Sequence, residues 1–136
     1  MAVTHTIYNS YKNDLQKGTI DVTSDTLKVA LVTSSYTFSS SHDFFNDITN
    51  EITGTGYTAG GATISNPTVS SGTFDADDTS WTNATFTARG AVLYKDTGTA
   101  STSPLISFID FGADNSPSAQ TFTITWNASG ITTITA

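Results

Sequence analysis

The chain has 136 residues, no cysteine, and five Lys and Arg against twelve Asp and Glu, a formal charge of −7. Without Cys it can build no disulfide, thiolate metal site or thiol nucleophile, and five scattered cations give no electrostatic footprint for nucleic acid. No stretch approaches the ~18 consecutive apolar residues that cross a bilayer, so no membrane partner is expected.

Hydroxyls dominate what remains: 27 Thr and 17 Ser, while charged residues are only 12%. Thr is stiff at χ1 and fits an extended pleat better than a helix. Fifteen aromatic residues, Trp81 and Trp126 among them, argue against disorder. The composition predicts one mainly β domain over residues 1–136. The opening Met1-Ala2-Val3-Thr4-His5-Thr6 has neither a charged region nor an apolar run, so no secretory leader is expected.

The first predicted element is a helix over about 7–17. Thr6 is placed as its N-cap, Tyr8, Tyr11 and Leu15 share one face, and Gly18 stands where a left-handed C-cap belongs. After the turn at Ser24-Asp25, Leu27, Val29 and Leu31 alternate with Lys28, Ala30 and Val32. A period of two predicts a strand, and the apolar alternate face makes it a core strand. Beyond the hydroxyl-rich Ser34–Ser41, Phe44, Phe45, Ile48 and Ile52 recur at helical spacing. A short helix over Asp43–Asn50 is expected, with Ser41 as its N-cap. Gly54, Gly56, Gly60 and Gly61 then mark a loop or a tight backbone crossing.

The rest reads as short strands: Thr63–Val69, interrupted by Pro67; Thr73–Ala76; Ala84–Ala88 and Ala91–Tyr94, flanking Arg89-Gly90 as one bulged strand; Leu105–Phe111; Thr121–Trp126; and Ile131–Thr135. In Thr121–Trp126, Phe122, Ile124 and Trp126 point inward and the intervening Thr residues outward. Such spacing predicts an antiparallel β-sandwich or jelly roll with one or two short helices in its N-terminal third.

Candidate chemistry is sparse. Asp75-x-Asp77-Asp78, followed by Thr79-Ser80, could offer oxygen ligands to calcium, but the further ligands of a calcium loop are missing. The plainer reading is a turn whose carboxylates take local amides. Asp43, Asp47 and Glu51 would line one face of a helix, as an ordinary solvated face does. Of the two histidines, His5 is expected to be exposed and His42 to sit at a helix start. No G-x-S-x-G elbow accompanies them and no zinc-ligand spacing is present. The glycine run lacks the Lys-Ser/Thr end of a phosphate loop. Asn83-Ala84-Thr85 and Asn127-Ala128-Ser129 match the glycosylation pattern, as chance allows in so Thr-rich a chain. Trp126 is read as core, and Trp81, beside the acidic turn, as the more open of the two. No catalytic, cofactor-binding or metal residues are assigned.

Several runs carry a resemblance instead. Leu27-Lys28-Val29-Ala30-Leu31-Val32-Thr33-Ser34-Ser35-Tyr36-Thr37, His42-Asp43 and the segment Asn46 to Gly61 are similar to a family of small tailed-bacteriophage structural proteins. So are Asp77-Asp78-x-x-Trp81, Ala91-Val92-Leu93-Tyr94, Phe108-x-Asp110-Phe111-Gly112, and Phe122-x-Ile124-x-Trp126-x-Ala128-x-Gly130-Ile131. The resemblance implies a virion protein made in the bacterial host cytoplasm, associated with the head surface as a capsid decoration (cement) protein. Its implied partners are the major capsid protein and further copies of itself, as a trimer or other homo-oligomer. It brings no catalytic residues and no cofactor. A tail, neck or fibre-associated module, binding a host surface through Tyr57 and Trp81, is the alternative. A small hydrolase acting through Glu51, Asp77 and Asp78 is the third.

Overall fold

The computed structural model describes residues 3–134. The chain is mainly β, with antiparallel sheets and one α-helix near the N-terminus. In chain order the elements are β1 (Thr4–Ile7), α1 (Asn9–Lys17), β2 (Leu27–Val32), β3 (Ala62–Thr63), β4 (Thr68–Ser70), β5 (Thr73–Asp75), β6 (Thr79–Ala84), β7 (Ala88–Lys95), β8 (Leu105–Asn115), β9 (Gln120–Ile124) and β10 (Thr132–Thr133). Among the described residues they form a five-stranded sheet, β1-β8-β7-β2-β3, a three-stranded sheet, β10-β5-β4, and a β6-β9 ribbon.

The five-stranded sheet is apolar on both faces, and the period of two decides which residue serves which side. Leu27, Val29 and Leu31 of β2, Ala91 and Leu93 of β7 and Ile106 of β8 face one core. The small sheets close this core with Phe74, Trp81 and Ile124, joined by Trp126 and Ile131. Ala30, Val32, Val92, Tyr94, Leu105 and Phe108 point the other way, into a second core with Tyr8 and Tyr36. Phe38, Phe45 and Ile48 cover it. The result is sandwich-like, with an irregular segment roofing the outer face of the larger sheet. Burying a Leu or Phe side chain contributes roughly 1.5–3 kcal/mol, so both cores hold the sheet.

β2 spans the predicted residues, and the chain does run as one strand through Arg89-Gly90, with a register shift between Ala88 and Gly90. Gly18 has the expected left-handed conformation (φ 74°), and the N–H of Thr19 donates to the Asp14 carbonyl at 2.9 Å. Four expectations are corrected.

The helix begins at Asn9 rather than Ile7, and Thr6 does not cap it. Thr4–Ile7 is the edge strand β1, and its pairing with β8 holds the chain extended through Tyr8, whose N–H donates to the Ile106 carbonyl at 3.0 Å.

The helix over Asp43–Asn50 is also absent; only Phe45–Asp47 make a 3-10 turn, and Ser41 caps nothing. Phe44 pairs with Pro104, and Leu105 N–H donates to the Asp43 carbonyl at 2.9 Å, so the chain is pinned extended. Phe45 and Ile48 go to the second core and Ile52 to the first, a split that one helical stripe cannot make.

Thr79 and Ser80 belong to β6, not to the acidic turn. Finally, Ala84–Ala88 is not one strand: β6 ends at Ala84, and Thr85 bridges to Thr55 before β7 starts at Ala88. Of the strand expected over Ile131–Thr135, Thr132 and Thr133 are ladder residues, while Thr135 lies outside the described residues.

Candidate functional site

The acidic residues singled out in sequence do not converge. Asp75 accepts the N–H of Ala76 (2.9 Å), Asp77 accepts the side-chain amide of Asn66 (2.6 Å), and Asp78 accepts the backbone N–H of Trp126 (3.0 Å). The local-turn reading holds for Asp75; Asp78 instead ties down a residue on a distant segment. Among the described residues no group of three His, Asp or Glu side chains is close enough to hold a metal ion.

Asp43, Asp47 and Glu51 form no acidic line, because the helix that would align them is absent. Asp47 accepts the N–H of Asp43 at 3.0 Å, which holds its carboxyl below the usual range. Desolvation, then the neighbouring Asp47, pushes Asp43 up. Glu51 is employed elsewhere. Its Oε2 accepts the Tyr57 hydroxyl at 2.5 Å and the Gly60 N–H at 2.6 Å, while Tyr57 Oη accepts the Leu31 N–H at 3.0 Å. Burial, reinforced by Glu51, pushes the Tyr57 hydroxyl up, so it stays a neutral donor. Tyr94 donates its hydroxyl to the Gly60 carbonyl at 2.7 Å. These bonds fasten the glycine loop to β2 and β7. A Cβ on Gly61 (φ 86°) would lie 1.8 Å from the Val29 carbonyl oxygen, so the run is a backbone crossing rather than a ligand loop.

His5 is exposed on β1. His42 starts no helix; its Nδ1 lies 2.9 Å from the Tyr36 hydroxyl, which lies 3.0 Å from the hydroxyl of the fully buried Tyr8. Burial, then Tyr36, pushes the Tyr8 hydroxyl up. This chain runs beneath Phe38, which stacks on Phe108 with ring centroids 5.5 Å apart. It fastens the roof segment to the sheet.

Trp81 is 5% exposed, correcting the expectation that it is the open tryptophan. It packs beside Tyr57 and Phe122, with ring centroids 6.4 and 5.9 Å away, and Tyr57 is itself half-buried and hydrogen-bonded through its hydroxyl. Neither aromatic is presented as a free stacking face. The sequence offered a signal for this: Thr79 and Trp81 share one side of β6, opposite Ser80 and Thr82, and both are buried.

The concave surface lies between the two ends of the described chain. One groove of about 420 Å³ is walled by His5 and Ile7 of β1, by Tyr11, Lys12 and Leu15 of α1, and by Ile131–Ile134. An adjoining cavity of about 760 Å³ shares His5, Ile131 and Thr133 and continues along Phe111, Phe122 and Trp126. Val3 and Ile134, 62% and 67% exposed, stand near this surface. Of the five cations, Lys28, Arg89 and Lys95 pair with Asp96, Asp110 and Asp25 at 3.0, 2.8 and 3.1 Å. Among the described residues Lys12 and Lys17 form no ion pair. No helix among the described residues is long and apolar enough to cross a membrane.

No family model, curated protein or solved structure matches the chain.

Proposed function

We propose that the chain is a structural protein of a tailed-bacteriophage virion, a decoration protein that binds the outer head surface and stabilises the shell, and not an enzyme. The observation that carries this reading is what the phage-like segments do in the fold. Asp78 and Trp126 bind each other across two of them, Glu51, Tyr57 and Gly60 lock a third, and Gly61 crosses Val29 of a fourth. Asp110 of a fifth accepts Arg89 Nε and the Gly112 N–H, both at 2.8 Å. The residues that make the resemblance specific are thus used as fastenings, which suits a part that bears on neighbours rather than one that turns over a substrate.

In this reading the partners are the major capsid protein and further copies of the chain. Occupying a site present only on the mature lattice stabilises that lattice by mass action. Purified protein added to mature capsids that lack it is expected to bind saturably and raise their melting temperature. An unchanged melting temperature at saturating protein overturns the reading, and so does immunogold label confined to tail or collar.

A further inference from the structure

The larger sheet ends at β1, and the three-stranded sheet ends at β10; among the described residues no strand pairs with the outer side of either. Both ends border the same concavity, since His5 and Ile7 of β1 and Thr132 and Thr133 of β10 line one groove. The phase of the β1 ladder is set by Tyr8, whose N–H donates to the Ile106 carbonyl in register with Ile7↔Ser107. Alternation then aims the N–H and C=O groups of Thr4 and Thr6 at β8 and those of His5 and Ile7 at the open side. A row of unpaired backbone groups is therefore set beside an apolar trough floored by Tyr11, Leu15 and Ile131. An edge with these properties templates an added strand.

We propose that this gap is a strand-accepting site, and that its occupant is an extended segment of another polypeptide with alternating apolar residues and a carboxylate that meets Lys12. Backbone bonds to His5 and Ile7 supply register, and alternate side chains enter the trough, as in recognition by strand addition. The charge argument selects the carboxylate. The chain carries a net −7, yet among the described residues no Asp or Glu lines either cavity, and Lys12 carries the one full charge among the described lining side chains. A second copy is the poorer occupant. Its own β1, Thr-His-Thr-Ile, has no carboxylate to offer, and the net charge of each copy opposes pairing. The proposal rests on the two sheet ends and stands whether or not the protein belongs to a phage head.

The test titrates the full chain with the capped peptide Thr-Val-Thr-Val-Thr-Glu-Thr, whose Val residues and Glu share one face of a strand, and with its Glu→Lys counterpart, by amide-resolved NMR and calorimetry. Expected are saturable binding, amide exchange slowed at His5 and Ile7, and affinity at least about tenfold weaker for the Lys peptide, the scale of one charge-assisted hydrogen bond. His5→Pro removes an outward N–H at an edge, where proline is tolerated, and should weaken binding by a similar factor. Ile134→Asp, at an exposed position on the groove wall, should do so by removing an apolar side chain and placing a negative charge there, while the melting temperature is unchanged. The proposal is overturned by absence of saturable binding to the unmodified chain, by unaltered affinity in both variants, or by equal affinity for the two peptides. Light scattering that shows the protein pairing with itself and protecting the same amides also overturns it.

Discussion

Trp126 is held at both ends of its residue by the acidic turn: its backbone N–H donates to the Asp78 carboxylate and its indole N–H to the Asp77 carbonyl, each at 3.0 Å. The two bonds join the residues just before β6 to those just after β9, closing the ribbon on the side where its ladder has ended. Asp78→Ala is expected to destabilise the protein by about 1 kcal/mol or somewhat more, the value of a charge-assisted bond near the surface. Asp78→Asn, which keeps an acceptor oxygen, should recover most of it. Urea melts of the two variants measure the difference.

Gly61 and Gly98 have nearly the same backbone, φ 86° and 88°, but different surroundings. An added Cβ at Gly61 would run into the Val29 carbonyl at 1.8 Å, whereas at Gly98 it meets nothing within 4 Å. Gly98→Ala should therefore cost only the left-handed strain of about 1 kcal/mol. Gly61→Ala should cost several times more or prevent folding. Near-equal thermal midpoints for the pair would show that the crossing is not as close as described.

The Tyr8–Tyr36–His42 chain predicts an asymmetry between two chemically identical changes. Tyr36→Phe leaves the hydroxyl of the fully buried Tyr8 without its partner, a loss of about 1–3 kcal/mol. Tyr8→Phe removes the buried hydroxyl itself and leaves Tyr36 bonded to His42, so it should be the milder of the two. Equilibrium unfolding of both variants decides the order.

Acid should weaken the fold through carboxylates that the folded state favours in charged form. The Arg89 guanidinium and then the Gly112 N–H hold Asp110 below the usual carboxylate range; the Gly98 N–H and then Lys28 do so for Asp96. For such groups the stabilisation is complete above the unfolded-state value of about 4 and is lost as pH falls through the lower folded-state value. Asp43, pushed up, runs the opposite way and offsets part of the loss. A melting temperature that declines below pH 4, with a shallower acid limb in Arg89→Gln, is expected. An identical acid limb in that variant would remove Asp110 from the account.

Local pattern made some elements legible and long-range pairing hid others. Leu27–Val32 could be read because its alternation needs no knowledge of a partner, and Gly18 because a left-handed cap is a property of a single residue. Phe122, Ile124 and Trp126 were likewise readable, and all three contribute to the first core. Thr6 and Ile7 read as a helix cap and start because the strand state of Thr4–Ile7 is decided by β8. Phe44 to Ile52 mimicked a helical stripe because two cores on opposite faces of one sheet draw from the same short segment. The concave surface was hidden for a related reason: its walls come from both extremities of the described chain, and the last two residues of the strand that edges it, Thr6 and Ile7, read as the cap and start of a helix.

The pairing of Thr4 with Asp110 also bears on how the protein is made. β1 emerges during synthesis well before β8, and Thr4 must wait for a residue more than one hundred positions later before it can pair. β2, apolar on both sides, has neither β3 nor β7 beside it until residues 62–63 and then 88–95 have been made. Closure is thus a late and non-local event of the kind that folds slowly and exposes nascent chains to aggregation. A cell producing this protein in quantity would need to shield β2 until translation reaches the β7–β8 hairpin.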